Sequence, residues 1–226
     1  SAQEWCGHVY ERLTAQQQIV YAYANYDVRD LYKERLCFLD IGQTSSEFAS
    51  ECRAGEANAR PVMVWGDSHA AALTAGVRAL QSDVIQYTTS SCPPVMDAAI
   101  EWQPHCNDVN AFVMSEIARI RPATVYLHAN WRLYNGQYPT TRIAGTIRRI
   151  RETSPNTEIT VVGGVPQWGE DLPNLLLRKG ILLTEPRSLQ MPDYQSFASL
   201  DDQIREASNQ NRARFFSPMA TLCHNG

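Results

Sequence analysis

The stretch Pro61-Val62-Met63-Val64-Trp65-Gly66-Asp67-Ser68-His69-Ala70-Ala71-Ala72-Leu73 decides the fold. An apolar run stops at a glycine, and an acid, a hydroxyl and an imidazole follow at once. An alanine-rich helical pattern then begins. This reads as a strand, a tight turn and a helix start, with Ser68 at the turn. A serine there has its hydroxyl at the C-terminal edge of a sheet and at the positive end of a helix dipole. Two roles fit it: helix N-cap or nucleophile. Asp67 and His69 flank it, and a solvated turn requires neither.

Outward from this stretch the pattern alternates. Further strands are predicted at 84–88, 124–127, 158–162 and 214–216, after the first at 62–65. Helices are predicted at 68–80, 107–121, 139–153 and 197–210. In the second of these Val109, Phe112, Val113, Ile117 and Ile120 share a face. In the third Ile143, Ile147 and Ile150 do so. The alternation implies a parallel sheet of about five strands with helices on both faces. Residues 1–59 lack the pattern. Their 13–32 portion, rich in Gln, Ala and Tyr, reads as one or two helices, and 40–60 is polar. With too few aliphatic residues for a core, residues 1–59 are expected to be a wrapping extension stapled at Cys37 and Cys52. Residues 60–226 are expected to form the α/β domain. The stretch 166–192 carries four prolines and reads as a long loop of the kind that often has a function.

The 226 residues are 44% apolar and 19% charged, which calls for a packed core. The net charge of −4 argues against nucleic acid as a main partner. No apolar run approaches the ~20 residues of a membrane helix. The chain starts Ser1-Ala2, without an initiator methionine or signal peptide, and is expected to be an excised soluble piece. Its six cysteines are Cys6, Cys37, Cys52, Cys92, Cys106 and Cys223. They form no Cys-x-x-Cys pair and no zinc-like grouping with histidine, so neither metal nor cofactor is expected. Disulfides in an oxidising compartment and buried thiols both fit. If oxidised, Cys37 with Cys52 and Cys92 with Cys106 are the natural local pairs. Cys6 and Cys223 are left for each other or for a partner outside this sequence.

Ligands of such sheets bind at the C-terminal strand edges. That places Ser68 and the segments after Thr88, Leu127 and Gly164 along one rim. In Leu127-His128-Ala129-Asn130-Trp131, Asn130 can offer its amide to a developing oxyanion or bond its own turn backbone. His128 reads as a buried or capping residue. Trp65, Trp131 and Trp168 fall at or just beyond strand ends, with Tyr134 and Tyr138 near the second. They can be core residues or a surface that stacks on sugar rings.

Gly66-Asp67-Ser68-His69 after an apolar strand resembles the first block of the SGNH hydrolases, the Gly-Asp-Ser esterases and acetyltransferases. Trp65 to Ala70, followed by Ser91-Cys92-Pro93-Pro94 and Cys106, resembles the SGNH domains fused to family 3 membrane acyltransferases, which O-acetylate bacterial surface glycans such as lipopolysaccharide O-antigen. The likeness covers roughly residues 60–223. It implies a flavodoxin-like three-layer sandwich. It also implies a periplasmic position at the inner membrane, a surface-glycan acceptor, and an acyl donor delivered by a membrane acyltransferase domain. Ser68 would be the nucleophile, with Asp67, His69 and Trp131 beside it. The oxyanion hole would use the Ser68 amide, Asn130 as third-block asparagine, and a second-block amide at Ser91. The family has glycine there; this chain has Thr89-Ser90-Ser91-Cys92.

The resemblance also implies a catalytic Asp-x-x-His after the last strand. None of the five histidines, His8, His69, His105, His128 and His224, has an aspartate three residues before it. The sequence is therefore expected to stop short of that segment and to be inactive alone. The His69 ring is expected to diverge from the Ser68 hydroxyl. In the full enzyme Ser68 would form an acyl-enzyme that a sugar hydroxyl or water resolves. Two other readings compete: a non-catalytic glycan-docking module and a free-standing periplasmic carbohydrate esterase.

Overall fold

A computed structural model describes residues 13–24, 27–53, 60–98, 100–135, 141–181 and 189–223. Cys6, His8, Tyr138 and His224 lie outside them. The elements begin with α1 (Ala15–Ala24), α2 (Arg29–Tyr32), β1 (Phe38–Leu39), β2 (Val62–Gly66), α3 (Ser68–Leu80), β3 (Val84–Thr89) and α4 (Cys106–Ile120). They continue with β4 (Thr124–His128), α5 (Trp131–Tyr134), α6 (Thr141–Thr153), β5 (Glu158–Val162), α7 (Leu172–Lys179), α8 (Tyr194–Gln210), β6 (Arg214–Phe216) and α9 (Pro218–Leu222). They fall into two compact units: a larger one of residues 28–165 and 195–224, and a smaller one of 1–27, 166–194 and 225–226. Among the described residues no helix is long and apolar enough to cross a membrane.

The larger unit is the expected α/β fold, with six parallel strands in the order β1-β3-β2-β4-β5-β6. All five residues of β2 are buried, as a central parallel strand between helix layers requires. Register lines up Met63, Ile85, Val125 and Ile159 in one row and Trp65, Tyr87, Leu127 and Val161 in the next. Those rows meet Val113 and Ile117 of α4, Ile147 and Ile150 of α6 and Leu200 and Ile204 of α8 in the main core. On the other face Val64, Ala70 and Val84 pack with Val77 and Tyr126 under α3. The chain leaves β2 for β3 on one side and then crosses to β4 on the other. The strand order thus reverses between the C-terminal ends of β2 and β4, where doubly wound sheets bind ligands.

The sixth strand, β1, lies in a stretch that shows no strand pattern. Two residues are too few for a period, and tertiary contacts place them. The Cys37 carbonyl accepts Thr88 N (3.1 Å) and Thr88 Oγ1 (3.0 Å), and the Leu39 carbonyl accepts Ser90 N (2.8 Å). Cys37 is bonded to Cys52 and Cys92 to Cys106, the two local pairs expected. Behind the first disulfide Phe48 stacks on Phe112 and meets Tyr87 edge-on. Glu116 accepts the Tyr87 hydroxyl (2.8 Å) and two Arg119 nitrogens (2.8 Å each). Burial pushes the Tyr87 hydroxyl up to about 12, so it stays a donor. Changing Cys37 and Cys52 together to alanine is expected to cost about 3 kcal/mol, the closure entropy of a loop of this length. Urea unfolding at pH 7 measures this, and a cost under about 1 kcal/mol would show that contacts alone hold β1.

In the smaller unit α1 packs on α7. Thr14 and Gln17 cap α1 reciprocally, at 2.9 and 3.3 Å. Helix α7 corrects the reading of 166–192 as a loop. Asp171 caps it by accepting Asn174 N (3.1 Å), Pro173 sits in its first turn, and Gly180 ends it at φ 62°. These are ordinary start and stop signals; the density of prolines obscures them.

Candidate active site

Strand β2 ends at Gly66, which pairs with His128 of β4. A Cβ on Gly66 would lie 1.7 Å from the His128 carbonyl oxygen, so only glycine lets the two strand ends approach this closely. The next residue, Asp67, is the N-cap of α3: its Oδ1 accepts His69 N at 2.8 Å. The N-cap role open to Ser68 is thereby taken by its neighbour, whose carboxylate reaches the orphan amide. Ser68 becomes the first helical residue, half-buried, and its hydroxyl has no hydrogen-bond partner among the described residues.

Asp67 is only 1% exposed. Its Oδ2 accepts Asn130 N and the Tyr134 hydroxyl, each at 2.9 Å. Burial pushes this carboxyl up. The His69 charge, the two amide donors and the Tyr134 hydroxyl pull the other way. Burial and the adjoining carboxylate raise the Tyr134 hydroxyl far above the ordinary phenol range, so it remains a donor. One carboxylate thus joins the turn that carries Ser68 to the turn that carries Asn130.

His128, 2% exposed, closes β4. Its Nδ1 lies 3.1 Å from the Val162 carbonyl oxygen, an acceptor only, so Nδ1 carries the proton and Nε2 a lone pair. The same carbonyl accepts Trp131 Nε1 at 2.7 Å. Burial, then the His69 charge, hold the His128 pKa down at about 3 against the opposing pull of the Val162 carbonyl. The His69 and His128 rings meet edge-on with centroids 5.8 Å apart.

Ser68, His69 and His128 line a cavity of about 520 Å³ whose other walls are mainly apolar, among them Leu73, Val165, Phe216 and Leu222. Asn130 and Ser91 are not in that lining. Asn130 is tied to Asp67 through its main chain. Ser91 lies three residues past Thr88, the register partner of Gly66, at the same sheet edge. It has a left-handed φ of 54°, a conformation that glycine adopts without strain. Trp131 is 6% exposed and supports His128 from within the core. Trp65 is 1% exposed and donates to Asn110 Oδ1 at 2.9 Å, while Asn110 Nδ2 holds the Pro93 and Val95 carbonyls. Neither tryptophan presents a ring to a sugar, which corrects that option for both: each is consumed by packing and by its indole N–H. Trp168 belongs to the smaller unit. Cys223 is unbonded among the described residues.

Two roles escaped the sequence reading. One is that of Tyr134, expected as a core or sugar-stacking ring and found buried with its hydroxyl on Asp67. The other is that of Asp201 in α8, 4% exposed, which accepts Gly164 N (2.7 Å) and the Ser217 hydroxyl. Gly163 makes room for it, since a Cβ there would lie 2.3 Å from Asp201 Oδ1. Ser217 in turn caps α9, whose Pro218, Thr221 and Leu222 line the cavity. The available signal was an acid on the buried face of α8 beside Phe197, Leu200 and Ile204. No group of three His, Cys, Asp or Glu side chains fit to hold a metal occurs among the described residues.

In comparisons with known proteins, the family model for the SGNH domain (fused to AT3 domains) matches residues 37–226. No curated protein matches the chain. The solved periplasmic domain of a lipopolysaccharide acetyltransferase from Salmonella ser. Paratyphi A is similar, with a TM-score of 0.71 and 22% identity over 96% of this chain and 84% of that one. At that identity the likeness speaks for the fold. A peptidoglycan O-acetylesterase gives a TM-score of 0.39 and 14% identity over 62% of this chain and 34% of that one. On the strength of the family match, which runs from the first disulfide through the Ser68 turn to the last residue, the chain belongs to the SGNH domains that are fused to AT3 domains.

Proposed function

We propose that this chain is the periplasmic acyl-transfer domain of a membrane O-acyltransferase, and that it acetylates a bacterial surface glycan such as lipopolysaccharide O-antigen through a Ser68 acyl-enzyme. The observation that carries this reading is the state of Ser68. It sits at the first turn of α3, in a cavity, with its hydroxyl uncommitted because Asp67 has taken the cap. Ser68 Oγ attacks the acyl carbonyl as a base takes its proton, and the tetrahedral adduct collapses by breaking the bond from the acyl carbon to the donor's leaving group, which departs with that proton. The oxyanion is held by the Asn130 side-chain amide and by main-chain amides at Ser68 and Ser91. The acyl-enzyme is then resolved by a sugar hydroxyl, with water as the competing acceptor. The AT3 partner domain supplies the acyl group.

His128 is a poor choice of base. A ring whose pKa is held at about 3 is almost without driving force to take a proton near neutrality. Its part is to stay neutral and fix the wall beside Ser68. The reading is tested on the intact membrane protein with a serine-directed aryl phosphonate. Labelling should fall on the peptide containing Ser68 and disappear in Ser68→Ala, while glycan acetylation is lost in parallel. Absence of labelling, or undiminished glycan acetylation by Ser68→Ala, would replace the enzyme with a docking module.

A further inference from the structure

We propose that Tyr134 is a positioning residue for acyl transfer: through Asp67, its hydroxyl holds Asn130 in register with Ser68. The inference rests on the acyl-transfer reading and adds a residue to it. Asp67 has two carboxylate oxygens, and each faces a different segment. Oδ1 takes His69 N, on the nucleophile side, at 2.8 Å. Oδ2 takes Asn130 N and the Tyr134 hydroxyl at 2.9 Å each. Tyr134 stands at the far end of α5, the single turn that starts right after Asn130. A helix of four residues is too short to hold its own place by backbone bonds. Its two ends are pinned instead, by Trp131 Nε1 on the Val162 carbonyl and by the Tyr134 hydroxyl on Asp67. Both rings are buried, so neither bond has water as a substitute.

Phenylalanine at 134 keeps the ring packing and removes one donor from Oδ2. A buried carboxylate that loses a donor binds a proton more readily. The ionisable groups facing it are His69 from α3 and Tyr134 from α5, while His128 from β4 faces His69. A proton on Oδ2 would turn that oxygen into a donor pointing at the Asn130 N–H, and Asn130 would be displaced. Acylation then slows because the oxyanion donor is out of place, while binding of the ester is untouched.

The test uses the intact protein, aryl acetate hydrolysis, and the variants Tyr134→Phe, Asp67→Asn and their combination. Tyr134→Phe should lower kcat about tenfold and leave KM within about twofold. In the Asp67→Asn background the same change should cost less than about twofold, because no carboxylate remains that could take up a proton when the hydroxyl is removed. A 13C titration of the Asp67 carboxyl should move to higher pH in Tyr134→Phe, a shift that a packing role would not produce and that needs only the single variant to fold. An undiminished tenfold loss in the Asp67→Asn background, an unmoved titration, or wild-type kcat would each overturn the positioning role. If the wild-type protein shows no Ser68-dependent turnover, the acyl-transfer reading falls and takes this proposal with it. If that turnover is present and Tyr134→Phe matches it, only the positioning role falls.

Discussion

Replacing Gly66 with alanine is expected to destabilise the protein by at least about 3 kcal/mol, the upper range for forcing an atom into a filled interior. The added Cβ would meet the His128 carbonyl oxygen at 1.7 Å and the Ala70 Cβ at 2.9 Å. The first obstacle is backbone, and it cannot rotate away. Gly66 lies in the central strand, paired with Thr88 on one side and His128 on the other, so a shift breaks one ladder or the other. The same shift would part Asp67 from Asn130 N and remove the link between the two halves of the site. Urea unfolding gives the stability change, and phosphonate labelling of Ser68 should fall with it. A Gly66→Ala protein within about 1 kcal/mol of wild type would mean that the strand ends are not held as closely as described.

Acid is expected to cost the protein stability through His128. The ring titrates at 6.5 when free and at about 3 in the folded chain. Between these values the unfolded chain binds a proton that the folded chain does not. The stabilisation is therefore complete above pH 6.5 and is lost as pH falls toward 3. It goes at about 1.4 kcal/mol per pH unit, or roughly 5 kcal/mol over the whole window. Asp67 and Asp201, both raised by burial, act with the opposite sign, since their folded forms gain protons first as pH drops. The comparison that isolates His128 is with His128→Asn, which keeps a donor near Nδ1 for the Val162 carbonyl and cannot titrate. The stability difference between the two proteins should shrink by about 3 kcal/mol between pH 7 and pH 4. Parallel curves would show that His128 is protonated as readily inside the fold as outside it.

The parts of the fold that were legible in the sequence share a physical trait: their signal is local. Helix α3 and strands β5 and β6 fall at the predicted bounds because an apolar run, a period or a glycine marks each end. Ile143, Ile147 and Ile150 announce the buried face of α6, and all three are buried. What was missed is short or carried by partners far along the chain. Strand β1 is two residues long and depends on Cys52, Thr88 and Ser90. In α4 the face of Val109, Phe112, Val113, Ile117 and Ile120 was legible and packs in or against the core, but the burial of Asn110 beside Val109 was not. Only the turns at Pro93 and Val95 and the Trp65 indole explain an amide there.

The candidate site divides along the same line. From residues 61–73 alone came the strand, the turn, the helix start and a serine at the sheet edge, because each follows from neighbours within a few positions. Family resemblance could be read from the same residues. Which side chain caps α3 was not decided there, since Asp67 and Ser68 are both good caps and the choice depends on where the carboxylate points. Tertiary structure settles it by bringing Asn130 and Tyr134, 63 and 67 residues away, onto the second oxygen of Asp67. A buried carboxylate must collect its donors wherever the fold supplies them. That requirement leaves the Ser68 hydroxyl without a partner among the described residues, and no local pattern encodes it.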